Sequence, residues 1–209
     1  MEKITRLSDG LYRLYIPFEE LCTAVFFAVY EEGTVIIDSA TYPSDAENYI
    51  LPALHSLGIA PEQVKIIALT HSHGDHAGGA MRLSELLPNA EIVATEPTKI
   101  SNVREIGDGD TFLGGLRAVI LSGHTKKSAG YLDERSGILL SGDCLQLGGI
   151  GRYRNGIKYP ELYRASVERV RGMGIKKLVA SHEYDPLGSI AEGPAEIEKY
   201  LDICLEYVQ

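Results

Sequence analysis

The chain has 209 residues, of which 44% are hydrophobic and 23% are charged. A chain of this length buries roughly 70% of the surface that its unfolded form exposes, so it needs no disulfide framework to fold. Its 20 Lys and Arg residues are outnumbered by 29 Asp and Glu residues, and the formal net charge of -9 repels a nucleic-acid backbone. These properties predict a protein without a nucleic-acid partner.

The cysteines and the first residues of the chain bear on the compartment. Cys22, Cys144 and Cys204 are an odd number of widely spaced thiols, which favours reduced cysteines over a disulfide framework. No apolar run approaches the ~18 residues of a membrane-spanning helix, and the polar residues 1–10 do not resemble a signal peptide. We therefore expect a soluble, cytoplasmic protein with no membrane partner.

Hydrophobic patterning in the first half predicts an antiparallel meander followed by a strand, a polar loop and a helix. The strands predicted in this half are residues 11–16, 23–30, 34–38 and 64–70. Apolar residues at helical spacing predict a helix over 44–57, with Ser44 as its N-cap and Gly58 at its end. A second helix is predicted over 76–87, directly after the polar loop.

The second half repeats this style. Its predicted strands are residues 91–95, 110–113, 116–121, 129–133, 137–141 and 177–181, and its predicted helices are 161–172 and 192–207. No repeat or linker divides the chain, so we expect a single domain over 1–209. Two groups of strands, each followed by helices, favour an α+β fold built as a four-layer α/β/β/α sandwich. Periodicity alone leaves other α+β arrangements open.

A cluster of histidines follows the predicted strand 64–70. Three of the six histidines fall within the segment His71-Ser72-His73-Gly74-Asp75-His76. Imidazole and carboxylate groups are the ligands that suit zinc, iron and manganese. The alternative is a polar loop in which Asp75 caps the next helix. His124, Asp143 and His182 also stand at the ends of predicted strands, and this favours a metal centre.

The ordered elements His-x-His-x-Asp-His, Gly-His-Thr, Ser-Gly-Asp and a late strand-terminal His resemble the signature of the metallo-β-lactamase superfamily. The resemblance covers residues 34–185 and implies the same four-layer fold. It implies one metal site from His71, His73 and His124, a second from Asp75, His76 and His182, and Asp143 as a bridge between them. It further implies that Asp38 accepts a hydrogen bond from a metal-binding histidine. A simple turn residue before Ser39 is the alternative for Asp38.

This ligand set is sufficient for hydrolysis. Two divalent ions, with zinc preferred and iron or manganese as alternatives, would lower the pKa of a shared water from about 15.7 to about 7. The bridging hydroxide would then attack a carbonyl that one ion polarises. Asp75 is predicted to orient that hydroxide and to carry its proton to the leaving group. We expect Cys144, which follows Asp143, to be packed and not catalytic.

Departures from the family pattern narrow the subfamily. An Asp at position 143 in place of Cys, together with the expectation that the chain has no secretion signal, disfavours a periplasmic β-lactamase. His73 stands where the flavodiiron oxygen reductases carry an acidic residue, and this difference disfavours that group. The usual Gly-His-Thr-Pro-Gly is replaced by residues 123–128, Gly-His-Thr-Lys-Lys-Ser, and this predicts a less tightly turned loop after His124.

Two segments resemble the hydroxyacylglutathione hydrolase (glyoxalase II) group. They are residues 149–156 and residues 182–184, and the resemblance implies that Arg152 and Tyr184 bind a substrate carboxylate. The match is partial, because Ile150 replaces a Cys and Arg154 replaces a Tyr, and we expect the C-terminal helical domain of that group to be missing. A solvated loop is the alternative for residues 149–156.

The function predicted from the sequence is a binuclear metal hydrolase that acts on a small thioester or ester. A lactonase with the same metal centre is its nearest rival. A mononuclear iron oxygenase resembling the persulfide dioxygenases, with two His and one Asp as iron ligands, is the alternative from another class. A metal-stabilised binding protein without turnover is a third. The acyl group, the native metal and the oligomeric state are not determined by the sequence.

Overall fold

A computed structural model describes residues 3–18, 21–145, 156–184, 188–206 and 208. The chain divides into two compact units, Met1–Ile106 with Thr111–Leu116, and Gly107–Asp110 with Arg117–Gln209. Among the described residues, every helix is too short or too polar to cross a membrane. The single domain expected over 1–209 stays a prediction.

The first unit is built on a seven-stranded sheet in simple chain order, β1 to β7. Its strands are β1 (Lys3–Ser8), β2 (Leu11–Phe18), β3 (Leu21–Tyr30), β4 (Gly33–Ile37), β5 (Val64–Ala68), β6 (Glu91–Ala94) and β7 (Val103–Glu105). Strands β1 to β4 pair antiparallel, which confirms the predicted meander, and β4 to β7 pair parallel. The short outer strands β1 and β7 were not predicted.

Helices cover one face of this sheet. They are α1 (Pro43–Asp45), α2 (Leu51–Ser56), α3 (Gly74–Ala77) and α4 (Ala80–Leu86). A π-helical turn, Ala46–Ile50, joins α1 to α2, and a short 3-10 helix, Pro61–Gln63, precedes β5. The core beneath them consists of buried apolar side chains from the sheet and the helices, among them Leu14, Phe27, Ile36, Ile50, Leu54, Ile67 and Leu83.

Both ends of the first predicted helix can be checked against the structure. The N-cap expected at Ser44 is wrong, because α1 starts at Pro43 after Tyr42. The side chain of Asp45 closes this end, since its Oδ2 accepts from the backbone N–H groups of Thr41 (3.1 Å) and Tyr42 (2.8 Å). Gly58 follows the last turn with φ of 72°, the left-handed conformation that ends helices.

The second predicted helix is interrupted. The sequence predicts one helix over 76–87, whereas α3 and α4 are separated at Gly78 and Gly79. A Cβ atom on Gly78 would collide with the carbonyl oxygen of Thr41, and one on Gly79 with that of Ser39. The two glycines therefore let the segment after β4 lie directly against the chain that follows the histidine motif.

The second sheet has the order β13-β12-β11-β10-β9-β8. Its strands are β8 (Thr111–Phe112), β9 (Leu116–Ile120), β10 (Ala129–Asp133), β11 (Ile138–Leu140), β12 (Lys177–Tyr184) and β13 (Gly188–Glu192). Strand β11 pairs antiparallel with β10 and parallel with β12, and β12 pairs antiparallel with β13.

Two long helices complete the second unit, α5 (Pro160–Arg171) and α6 (Pro194–Glu206). Their buried residues share a core with strand residues, including Val119, Leu139, Tyr163, Val167, Leu178, Ile197, Leu201 and Cys204. Strand β13 was not predicted, and the last helix accordingly begins at Pro194, two residues later than expected.

Candidate metal centre

The first group of predicted ligands stands where two parallel strands end. Ile37 of β4 is in register with Ala68 of β5, and the backbone N–H of Asp38 donates to the carbonyl of Ala68 at 2.9 Å. The carboxyl ends of parallel strands share one edge of the sheet, where α/β proteins commonly place functional groups. Asp38 and the histidine motif are therefore brought to one edge although they are far apart in sequence.

Asp38 accepts three hydrogen bonds in a fully buried position. Its Oδ1 accepts from the backbone N–H of Thr70 at 2.8 Å, and its Oδ2 accepts from the Thr70 hydroxyl at 2.9 Å. Oδ2 also lies 2.8 Å from Nδ1 of His76. An ionised carboxylate only accepts, so Nδ1 of His76 carries the proton and Nε2 is the atom that a metal would take.

The backbone around this contact is tightly fixed. The carbonyl of His76 accepts from the backbone N–H of Ser39 at 2.7 Å and from the Ser39 hydroxyl at 2.8 Å. Asp38 and Ala40 have φ of 63° and 60°. Non-glycine residues adopt this left-handed conformation at a cost, and such residues concentrate at functional sites.

His71 and His73 approach each other directly. Nδ1 of His71 lies 3.0 Å from the Thr70 hydroxyl, and Nε2 of His71 lies 3.0 Å from Nδ1 of His73. The Thr70 hydroxyl has one proton, which it gives to Asp38, so it accepts from Nδ1–H of His71. Nε2 of His71 is therefore unprotonated, the state that metal binding requires.

The short helix α3 presents Asp75 and His76. Its N-terminus is fixed because the carbonyl of His73 accepts from the N–H groups of His76 and Ala77, and the Thr23 hydroxyl donates to the Asp75 carbonyl at 3.0 Å. An Asp75 oxygen lies 3.5 Å from Nε2 of His76. The Asp75 carboxylate is mostly covered, with 18% of its side chain exposed.

The second unit holds a separate group around Asp143. Leu140 of β11 pairs with Val179 of the parallel strand β12, so Asp143, just after β11, is brought close to His182 in β12. The Asp143 oxygens lie 3.4 Å from Nε2 of His182 and 3.7 Å from Nε2 of His124. All three side chains are less than a tenth exposed.

His124 lies in a loop after β9. Its Nδ1 donates to the carbonyl of Gly156 at 2.8 Å, which leaves Nε2 as the ligand atom. The expectation of a less tightly turned loop stays a prediction, and side-chain hydrogen bonds fix the segment that lacks the Pro-Gly. The Ser122 hydroxyl donates to the carbonyl of Lys126 at 2.7 Å, and the hydroxyls of Thr125 and Ser128 lie 2.7 Å apart.

The donor atoms within each unit fit a divalent metal ion. Within each of three pairs, the two ligand atoms lie within 4.8 Å of each other; the pairs are His71 with His73, Asp75 with His76, and Asp143 with His182. Imidazole nitrogens with carboxylate oxygens suit zinc, iron or manganese. Nδ1 of His71, His76 and His124 each makes a hydrogen bond within the protein. Histidines that bind metal through Nε2 commonly have such a partner at Nδ1.

The two predicted substrate-binding residues cannot be assigned contacts. Arg152 lies outside the described residues, and for Tyr184, at the end of β12, only the backbone is described. Cys144 is buried, with Sγ 3.5 Å from the carbonyl of Ser122, and burial raises the pKa of its thiol well above the usual range. A thiol in this state suits packing and not nucleophilic catalysis.

Sequence reasoning missed Thr70, Gly78 and Gly79 as parts of this site. Thr70 links Asp38 to His71, and the two glycines permit the close approach behind His76. A polar residue at the end of an apolar strand and a Gly-Gly pair within a helical pattern are the signals that could have found them.

Comparisons with known proteins agree with this geometry. A family model described as the metallo-beta-lactamase superfamily matches residues 19–114. A hydroxyacylglutathione hydrolase from Prochlorococcus marinus (strain MIT 9312) is 30% identical over 163 residues, which cover 74% of this chain and 62% of that protein. One from Xylella fastidiosa (strain 9a5c) is 35% identical over 141 residues, covering 64% and 52%. The chain therefore spans less than two thirds of the length of these relatives.

Solved structures show the same fold. A metallo-beta-lactamase from Pontibacter korlensis superposes with a TM-score of 0.77 at 18% identity, covering 98% of this chain and 99% of that one. At this identity the likeness shows the fold alone. It confirms the predicted α+β fold class.

Proposed function

We propose that the chain, which belongs to the metallo-β-lactamase superfamily, is a binuclear metal-dependent hydrolase acting on a small thioester or ester. The superfamily model, the histidine and aspartate groups and the hydroxyacylglutathione hydrolase relatives support metal-dependent hydrolysis as the general activity. The binuclear centre and the substrate class are the parts that we propose.

The proposed centre follows the ligand set that the sequence signature implies. One ion would be held by His71, His73 and His124, the other by Asp75, His76 and His182, and Asp143 would be shared by both. This assignment rests on the ordered signature in the sequence and on family membership. Zinc is the proposed metal, with iron or manganese as alternatives that the same ligands accept.

The observation that carries the proposal is the position of Asp143 between two histidines. One carboxylate oxygen is 3.4 Å from Nε2 of His182 and the other is 3.7 Å from Nε2 of His124. A carboxylate that lies between histidine ligands of two different ions could be shared by both ions. Because the two imidazoles approach different oxygens, this arrangement suits a bridge.

Divalent ions bound here would supply Lewis acidity, which activates water and polarises a carbonyl. The side chains of the protein would orient the reacting groups and transfer protons. Asp75, with its oxygen 3.5 Å from Nε2 of His76, is proposed to orient the attacking water and to carry its proton to the leaving thiol or alcohol. Asp38 holds His76 in the tautomer that leaves Nε2 for the metal.

The proposed substrate is an acylated thiol of the kind that glyoxalase II hydrolyses. The 30–35% identity to proteins named hydroxyacylglutathione hydrolase supports this choice, and Arg152 with Tyr184 is proposed to bind a substrate carboxylate. The free thiols of Cys144 and Cys204 suit the reducing cytoplasm that we propose as the compartment.

A substrate panel on the metal-loaded full chain tests the proposal. Three substrates test hydrolysis: S-lactoylglutathione, a neutral aryl ester and a lactone. A fourth, glutathione persulfide, is assayed for oxygen consumption with an oxygen electrode. We expect thioester hydrolysis that His182→Gln abolishes and that His55→Gln, at an exposed histidine of α2, leaves intact. Preferential lactone hydrolysis would favour the lactonase. Oxygen consumption with the persulfide would favour the iron oxygenase, and both outcomes contradict the thioesterase.

A further inference from the structure

A hydroxyl group interrupts an apolar face of strand β3. Alternate residues of a strand point to the same face, and Val25, Phe27 and Val29 of β3 pack in or against the core of the first unit. Thr23 continues this row, and its side chain is completely buried. A buried hydroxyl costs free energy unless it is hydrogen-bonded. A threonine at a position that suits valine therefore indicates that its hydroxyl has a specific partner.

The partner of Thr23 belongs to the histidine motif. The Thr23 hydroxyl donates to the carbonyl of Asp75 at 3.0 Å, across 52 positions of sequence. In a long helix that carbonyl would accept from the backbone N–H four residues later. Helix α3 ends at Ala77, so Asp75 is among the terminal residues whose carbonyls take partners from outside the helix. Strand β3 supplies such a partner.

A second strand holds the next carbonyl in the same way. The carbonyl of His76 accepts from the backbone N–H of Ser39 at 2.7 Å and from the Ser39 hydroxyl at 2.8 Å. Phe26 of β3 pairs antiparallel with Ile37 of β4, so Thr23 and Ser39 lie beyond that pair, at the same end of the two strands. Two consecutive peptide groups of the motif are therefore attached to two neighbouring strands.

We propose that Thr23 is a positioning residue for Asp75. The peptide group between Asp75 and His76 contains the carbonyl that Thr23 holds, so the orientation of this group affects the directions in which both side chains leave the backbone. Under the proposed function, on which this inference rests, both side chains hold one metal ion and Asp75 orients the attacking water. Functional side chains need such support from hydrogen bonds behind them. Without the Thr23 hydroxyl, Asp75 and His76 would depart from their productive geometry.

Zinc binding tests this role without a substrate. Thr23→Val removes the hydroxyl at nearly constant volume, and Thr23→Ser keeps a hydroxyl. The matched control is Thr34→Val, which removes a buried threonine hydroxyl at the amino end of β4, opposite the end that leads to Asp38. In competition with a chromophoric chelator, we expect Thr23→Val to bind zinc about tenfold more weakly than the wild type. Thr23→Ser and Thr34→Val should bind zinc like the wild type, and equal affinities for the two valine variants would overturn the proposal.

Steady-state kinetics at saturating zinc test the positioning of Asp75 itself. With S-lactoylglutathione, we expect Thr23→Val to lower kcat about tenfold at nearly constant KM, because the group that Thr23 holds acts on water and not on the bound substrate. Thr23→Ser should restore kcat, whereas a purely packing role of the Thr23 methyl group predicts no such rescue. A serine variant as slow as the valine variant would overturn the proposal.

Two further outcomes keep the proposal falsifiable. If Thr23→Val does not fold, Thr23→Ala replaces it, and a folded alanine variant with the zinc affinity of the wild type would overturn the positioning role. The zinc measurement also separates this inference from the hydrolase proposal. Weakened zinc binding in Thr23→Val, with no hydrolysis of any substrate by the wild type, would support the positioning role and reject the hydrolase. Thioester hydrolysis by the wild type, with Thr23→Val and Thr34→Val equal in kcat and zinc affinity, would reject the positioning role alone.

Discussion

Nδ1 of His76 lies 2.8 Å from Oδ2 of Asp38, and both side chains are fully buried. The contact joins the end of β4 to the helix that follows β5, and it determines which nitrogen of His76 faces away from the protein framework. Thr70 donates to the same carboxylate through its backbone and its hydroxyl. Metal affinity and folding stability should therefore both depend on Asp38.

Asp38→Asn should lower metal affinity by roughly ten- to a hundredfold, because the amide cannot accept all the hydrogen bonds that the carboxylate accepts. It should also cost about 1–3 kcal/mol of unfolding free energy. Competition with a chromophoric chelator and urea unfolding measure the two effects. Asp45→Asn is the matched control, since this buried carboxylate caps α1 and should affect stability alone. Equal metal affinities for the two variants would contradict the role of Asp38.

Asp75→Ala should reduce kcat far more than substrate binding, because the substitution removes the group proposed to orient water. The fold should persist, since the side chain is at the rim of the motif and 18% exposed. Ser72→Ala, in the same loop and hydrogen-bonded to Glu96, serves as the comparison and should retain activity. A kcat within about tenfold of the wild type, an effect of ~1.4 kcal/mol, would rule out the assigned role of Asp75.

Gly78→Ala should destabilise the protein by about 1–3 kcal/mol, as expected for overpacking of a close backbone contact. The added Cβ would collide with the carbonyl of Thr41, whereas a Cβ on Gly74 would meet no heavy atom within 4 Å. Gly74→Ala, in helix α3, should therefore leave stability unchanged or slightly raised. Urea midpoints distinguish the two, and a Gly78→Ala midpoint equal to that of Gly74→Ala would show that the close approach is not required.

The three thiols should differ in reactivity at pH 8. Burial raises the pKa of Cys144 well above its usual range and that of Cys204 to about 12, so at pH 8 neither forms appreciable thiolate, the reactive form. Cys22 is only half-buried. Titration with a disulfide reagent should modify at most one thiol in the native protein and three in denaturant. Rapid modification of two or three native thiols would contradict the packing role of Cys144 and Cys204.

The strands that end at predicted metal ligands were easier to predict from the sequence than the other strands and helices. Apolar runs before His71 and Asp143 are long enough to identify as strands, and the polar residues that follow them are chemically distinctive. Strand β13 escaped prediction because its buried positions are the small residues Ser189 and Ala191, while Ile190 is exposed. The alternation of hydrophobic residues along β13 therefore indicates that the face of Ile190 is buried, whereas the opposite face is the buried one.

Other features depend on contacts that a single sequence does not encode locally. The break at Gly78 and Gly79 exists because a distant segment approaches those residues, and helix periodicity carries no sign of it. The closed loop after His124 replaces a rigid Pro-Gly with hydrogen bonds among Ser122, Thr125, Lys126 and Ser128. Hydroxyl side chains make such bonds only in particular geometries, so composition alone does not reveal them.

The number of metal ions bound per chain tests the central claim most directly. Equilibrium dialysis of the full chain against zinc or manganese, followed by elemental analysis, should give two equivalents for the wild type. His182→Gln should lower the occupancy to one, because the proposed first ion keeps its three histidines, and His55→Gln should retain two. A single equivalent in the wild type under saturating metal, unchanged by His182→Gln, would contradict the binuclear account.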